Sequence, residues 1–360
     1  MHVVTLSAFL TNYNDADVVG RALDAITSQS RLPDEFIIQD DGSTDNSIDV
    51  IMPYVEKYPF VKFVKNEKNL GPIAAMQKVS ALATGDYLYG AGADDWVLPG
   101  FFEKAMNLLE RFPQASICCG DIYDYYADTG ETTAYEMLWA DQPTYFSPDQ
   151  LSDTLAGRNF PGMAGSIMRR DAFVNAGGFI AELKWHSDWF INHVVAFRHG
   201  IVYTPEKFAV ETARKKGAYC FEGVQNPKMQ ANVLRTAITL LKSPQFIDVF
   251  PYFARSAAFF PFSYSAVKLL MNDSEMWDIP TMLLLQHSIY IWNNQMVAVR
   301  NDRAKKSVEL KLKSIISKID SMIQYGQLKN AEQLIKEIEM AFGNIPSMSE
   351  LKEKINRMKR

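Results

Sequence analysis

The chain has 360 residues, 48% hydrophobic and 22% charged, which excludes intrinsic disorder and suits one large domain or two modest ones. A formal net charge of −5 argues against a nucleic-acid binder. Cys118, Cys119 and Cys220 make neither a disulfide framework nor a metal-binding spacing, which fits a reducing compartment.

In chain order, apolar residues 3–10 read as a first strand that begins too soon for a secretory leader. After the polar turn at 12–15, Val18, Val19, Ala22, Leu23 and Ile26 recur at helical spacing. Residues 36–39 predict a second strand, 43–58 a helix with Ile48, Ile51, Met52 and Val55 on one face, and 61–64 a third strand. A helix over 72–83 and a strand over 87–91 complete an alternation that predicts a mostly parallel sheet with helices on both faces. A helix at 101–112, an apolar stretch at 115–119, a Gly-rich loop at 161–170 feeding a strand, and a short helix at 171–179 closed by Gly177-Gly178 follow. From about Pro227 only helices are expected: one rich in aromatics (Tyr252, Phe253, Phe259, Phe260, Phe262, Tyr264), another at 282–292, and three patterns after Val308 punctuated by Gly326 and Pro346.

No stretch reaches the roughly 18 uninterrupted apolar residues of a membrane span. The nearest, 246–271, is broken by Asp248, Pro251, Arg255, Pro261 and Lys268. Residues 300–360 hold fourteen basic and eight acidic side chains, whereas the rest of the chain is acidic. Such a tail suits an anionic surface such as membrane headgroups, or is simply a solvated helical face.

Two acidic turns fall beyond strand ends, where sheets of this class bind ligands. Asp40-Asp-Gly-Ser-Thr-Asp45 closes the apolar stretch 36–38, and Asp94-Asp95 follows the strand at 87–91. Adjacent carboxylates there can hold a divalent cation and the phosphates it bridges. The alternatives are a helix cap at Ser43 or Asp45 and a solvated turn at 94–95.

Five motifs occur in order over roughly residues 3–215: Thr11-Asn-Tyr-Asn14, Asp40-Asp-Gly-Ser-Thr-Asp45, Asn69-Leu-Gly71, Ala93-Asp-Asp95 with Pro99, and His186-Ser-Asp188 after Gly177-Gly-Phe179. In these the chain resembles the family 2 inverting nucleotide-sugar glycosyltransferases. The resemblance implies their GT-A fold, a Rossmann-like α/β domain, here followed by an all-α C-terminal extension.

It also implies a nucleoside-diphosphate-sugar donor, with a UDP-sugar favoured, bound by Thr11, Tyr13, Asp40, Asp41 and Asp94. Asp41 would meet the base, Tyr13 stack on it and Asp94 reach the ribose. Asp95 would hold Mn²⁺ or Mg²⁺ against the charge of the leaving diphosphate, and Gly92 stands where many members carry a further Asp. Asp188 is the expected general base for the acceptor hydroxyl, with His186 as supporting neighbour or alternative base. Trp185 and Trp189 would stack on a sugar or pack in the core. Arg214 and Lys216 would meet diphosphate or acceptor from a basic loop, while Met76-Gln77 departs from the family's Arg-Asn pair and leaves base and sugar open.

The Gln-x-x-Arg-Trp signature of processive synthases is absent, so transfer of a single hexose or N-acetylhexosamine is expected. By resemblance the setting is bacterial surface glycan or glycoprotein synthesis, with a glycan, lipid-linked or peptide acceptor read by loops at 121–160 and 214–226. The expected domains are catalytic 1–225, an aromatic-rich helical extension 226–300, and a helical bundle or tail 301–360. The last two would serve self-association or peripheral contact with the inner face of the membrane, in an otherwise cytoplasmic protein. Two other classes compete: a non-catalytic nucleotide-sugar-binding scaffold, and a sugar nucleotidyltransferase. The second needs a Gly-rich basic phosphate loop that residues 11–15 lack.

Overall fold

A computed structural model describes residues 4–155, 162–213, 219–259, 262, 264–342 and 346–359. The first part alternates as its periodicity requires: β1 (Leu6–Asn12), α1 (Ala16–Thr27), β2 (Glu35–Asp40), α2 (Ser47–Lys57), β3 (Val61–Lys65), α3 (Pro72–Leu82) and β4 (Tyr87–Gly92). These four strands run parallel in the order β3-β2-β1-β4. Central β1 is apolar on both faces because helices cover both: Leu6, Ala8 and Leu10 join Val19, Leu23 and Ile26 of α1, and Phe9 joins Val79 of α3.

Next come β5 (Trp96–Val97), α4 (Phe101–Arg111), β6 (Ile117–Tyr126), β7 (Glu131–Tyr135), β8 (Thr144–Phe146), α5 (Pro148–Thr154), β9 (Ser166–Arg169), α6 (Arg170–Asn175), α7 (Ser187–His199) and β10 (Ile201–Ala213). The sheet continues β4-β9-β6-β10-β5, with β9 antiparallel to both its neighbours and β10 parallel to β6. Among the described residues it has ten strands, so the mostly parallel α/β class is as expected.

Two local expectations shift. Helix α2 starts at Ser47, not Ser43, because the preceding residues are held in a turn: Thr44 N donates to Asn14 Oδ1, and Ser47 N donates to Asp45 Oδ1. Segment 121–160, expected as loops, holds the outer half of β6 with β7, β8 and α5, since β6 finds strand partners on both sides up to Tyr126.

The remaining elements are helical: α8 (Tyr219–Gln225), α9 (Pro227–Leu241), α10 (Phe250–Ser256), α11 (Tyr264–Met271), α12 (Ile279–Gln324), α13 (Leu328–Phe342) and α14 (Pro346–Met358). The chain divides into two compact units, residues 1–292 and 293–360. The first therefore includes residues that the sequence assigns to a separate extension from 226. The reason is a shared core: Leu234, Ile238, Phe246, Phe253, Phe259 and Phe262 are buried with Phe190, Val194 and Phe197 of α7.

Those four phenylalanines from 246 to 262 are each 1% exposed or less. They are core residues, which corrects the expectation that the 246–271 aromatics lie on a membrane; Phe260 lies outside the described residues. Among the described residues no helix is long and apolar enough to cross a membrane. In the second unit, Ile319 and Ile323, Ala331 and Ile335, and Leu351 and Ile355 supply i,i+4 pairs from three helices to a small core of its own. Gly326, at φ +73°, ends α12 in a Schellman turn, with Gln327 N donating to the Met322 carbonyl.

Candidate active site

The ends of β2, β1 and β4 lie side by side, because Thr11 is in register with Gln39 on one side and Gly92 on the other. Fully buried Asp40 accepts from Asn12 Nδ2 and from Ser43 N, both at 2.9 Å, so its carboxylate holds the turn together. Asp41 accepts from Asn66 Nδ2 at 2.6 Å and from Leu70 N and Gly71 N at 3.0 Å. Leu70 N also reaches the other carboxylate oxygen at 3.1 Å, so buried Asp41 ties residues 66–71 to the end of β2. Gly42, at φ +78°, lets the two motifs touch: a Cβ there would lie 2.8 Å from the Lys68 carbonyl carbon. Tyr13 is 43% exposed, which leaves its ring available for stacking. Half-buried Thr11 donates from Oγ1 to Met76 Sδ at 3.4 Å, so Met76 packs beneath the crevice.

Asp94 and Asp95 sit in the turn from β4 to β5. A Cβ on Gly92 would lie 3.1 Å from Asp94 Oδ1 and 3.4 Å from Asp95 Oδ2, so both carboxylates flank the place where a larger residue 92 would stand. Asp95 Oδ1 accepts from Thr212 N at 2.8 Å. The Asp94 carbonyl accepts from Thr212 Oγ1 at 2.5 Å and from Arg21 Nη2 at 2.9 Å. Among the described residues no three metal-ligating side chains converge. The carboxylate oxygens present nevertheless fit Mg²⁺ or Mn²⁺, hard ions commonly bound by one or two carboxylates plus substrate phosphates and water.

Asp188 lies in the first turn of α7 and accepts from Trp189 N at 2.7 Å. Burial pushes its carboxyl above the usual carboxylate range, against the pull of that bond, and so makes it a stronger base. Beside it stands Glu211 of β10, which the sequence reading missed. Burial, then the negative charges of Asp188, Asp124 and Asp94, push the Glu211 carboxyl up to about 7. Carboxylates from the β4 turn, β6, α7 and β10 therefore lie close enough for their charges to act on one another. The signal available for Glu211 was a carboxylate following the apolar run Phe208-Ala-Val210, at the end of a strand.

His186 is 8% exposed, its Nε2 lies 2.8 Å from Gln230 Oε1, and its ring centroid is 4.2 Å from that of Phe262. Burial lowers its pKa to about 4, which keeps it neutral and makes it a packing link from α7 to α9 rather than an alternative base. The Trp185 ring is covered by Gly223, where a Cβ would come within 2.3 Å of it. Trp189 packs at 5.4–5.7 Å from Phe253, Phe259 and Phe262. Both indoles pack against the core, Trp189 only partly buried, which is one of the two roles expected of them. Arg214 and Lys216 lie outside the described residues.

Glu211 gives a pH signature. A carboxyl near 7 in the folded chain and near 4.5 when unfolded contributes stability that is complete below about 4.5 and lost as pH rises through about 7. Asp188 and Asp124, raised in the same direction, are common to the native chain and to Glu211→Gln, which stays neutral throughout. The native melting temperature is therefore expected to fall relative to that variant between pH 5 and pH 8. Parallel curves in a thermal scan would refute the assignment.

Residues 7–175 match the family model for glycosyl transferase family 2. Over that segment the chain is similar to this family. The uncharacterized glycosyltransferase YibD of Escherichia coli (strain K12) is 30% identical over 203 residues, 52% of this chain and 56% of that protein. The uncharacterized protein Rv1520 of Mycobacterium tuberculosis is 27% identical over 222 residues, 61% of this chain and 60% of that protein. The chain thus spans little more than half the length of these curated relatives. Among solved structures, S. aureus TarS 1–349 in complex with UDP-GlcNAc has a TM-score of 0.56 at 15% identity, covering 82% of this chain and 92% of that one. Mannosyltransferase PcManGT from Pyrobaculum calidifontis, in complex with GDP-Man and Mn²⁺, has a TM-score of 0.50 at 17% identity, covering 81% of each chain. These likenesses establish the GT-A fold of the family 2 segment.

Proposed function

We propose that the protein transfers one hexose or N-acetylhexosamine from a nucleoside-diphosphate sugar, with a UDP-sugar foremost, to an acceptor hydroxyl with inversion. One observation carries the reading: Asp188 and Asp94, 94 positions apart, act on the same Glu211 carboxyl. A strong base and a diphosphate-handling turn in one crevice are what a single in-line displacement needs.

In this reading Tyr13 and Asp41 hold the base, and Asp94 reaches the ribose. Asp95 holds Mn²⁺ or Mg²⁺, which when bound neutralises charge on the departing diphosphate. Asp188 takes the acceptor's proton as its oxygen attacks the anomeric carbon, and the nucleoside diphosphate leaves from the opposite face. With no covalent intermediate the configuration inverts. Basic Arg214 and Lys216 meet the diphosphate or the acceptor. UDP-GlcNAc in complex with TarS and GDP-Man in complex with PcManGT support the donor class. The setting is bacterial surface glycan or glycoprotein synthesis on a glycan, lipid-linked or peptide acceptor, in the cytoplasm. The 293–360 unit serves self-association or contact with the membrane's inner face, in keeping with its basic charge.

The test is a screen of UDP-, GDP- and dTDP-sugars with Mn²⁺ or Mg²⁺, reading release of nucleoside diphosphate. Metal-dependent release, greatest with a UDP-sugar, is expected. A chain that binds UDP but consumes no donor would be a nucleotide-sugar-binding scaffold instead.

A further inference from the structure

We propose that Thr212 and Arg21 are positioning residues that clamp the Asp94–Asp95 turn and thereby set affinity for a metal-bound nucleoside diphosphate. The inference rests on the role proposed above for that turn.

Thr212 bonds to it twice, from its backbone N–H to Asp95 Oδ1 at 2.8 Å and from its hydroxyl to the Asp94 carbonyl at 2.5 Å. Arg21, from α1, donates to the same carbonyl at 2.9 Å. Its own position is set by stacking, with Cζ 3.5 Å from the ring centre of Trp96 and 5.4 Å from that of Tyr125. Both ends of the turn's dipeptide are therefore held from elements distant in sequence.

Arg21 and Thr212 also line a cavity of about 380 Å³ together with Asn14, Asp17, Val18 and Tyr125. Their directional bonds fix the turn's carbonyl and carboxylate at set distances. Thr212 grips the diphosphate turn, whereas the Asp188 carboxylate accepts from Trp189 N, in α7. Donor binding is therefore what the clamp is expected to tune.

Thr212→Val keeps shape and backbone N–H but removes the hydroxyl donor. Loss of one such bond corresponds to a weakening of about fivefold to tenfold. Calorimetric titration with UDP in Mn²⁺ is expected to show that loss, with donor KM raised in step, kcat within about twofold of native and an unchanged melting temperature. Thr212→Ser should restore native affinity, and Arg21→Gln should weaken binding as Thr212→Val does. Native-like affinity in both Thr212→Val and Arg21→Gln overturns the clamp while leaving the turn's role intact. A fall in melting temperature that Ser does not rescue overturns it in favour of a merely structural threonine. A native chain that binds no UDP in Mn²⁺ removes the ground of both readings.

Discussion

Asp188→Asn is expected to lower kcat about 10³-fold while donor affinity stays within twofold of native. A positioned general base contributes roughly 10²–10⁴-fold, and the amide preserves the shape and the acceptor for the Trp189 N–H but not the basicity. Burial, which raises the Asp188 carboxyl, makes the native residue the stronger base. The same substitution removes one negative neighbour of Glu211, so the Glu211 carboxyl should titrate below its native value of about 7. Kinetics would show lost turnover, and thermal scans against pH would show the Glu211 transition moved downward. Normal turnover in Asp188→Asn would place the base elsewhere.

Asp95→Asn is expected to abolish the effect of Mn²⁺ on nucleotide binding and to lower kcat/KM about 10³-fold. The asparagine carbonyl can still accept from Thr212 N, so the turn keeps its anchor, whereas the charge that offsets a divalent cation is gone. In the native chain, removal of metal with EDTA should weaken UDP binding. In Asp95→Asn, calorimetry should find weak binding with or without EDTA. Asp94→Asn should cost less, about tenfold, because its backbone carbonyl, which the substitution leaves in place, is held by Thr212 and Arg21. If Asp95→Asn still responds to Mn²⁺, the ion's ligand is another group.

Much of the site was legible because its motifs are local. The turn of residues 40–45 needs a glycine at φ +78° and a buried carboxylate to tie down its own N–H groups, so its function and its folding select the same residues. The β–α alternation of the first hundred residues was legible for the same reason, since each amphipathic period is written in adjacent turns of chain. Trp185, Trp189 and His186 misled because their position beside Asp188 in sequence says nothing about which way they face. The start of α7 and the residues just before it turn the three rings toward segments that arrive some forty to seventy residues later.

By itself the sequence determined the class of sheet and the two acidic turns at its strand ends, through short-range periodicity and turn chemistry, while its resemblance to family 2 pointed to Asp188 as candidate base. Tertiary structure alone decided which carboxylates share a crevice. Glu211 gains meaning only when the β6–β10 pairing brings it to Asp124 and the packing of α7 brings it to Asp188. It also decided that Phe246, Phe253, Phe259 and Phe262 are core. The physical reason is the same in both cases: burial and electrostatic coupling depend on distance through space, which a one-dimensional pattern does not carry.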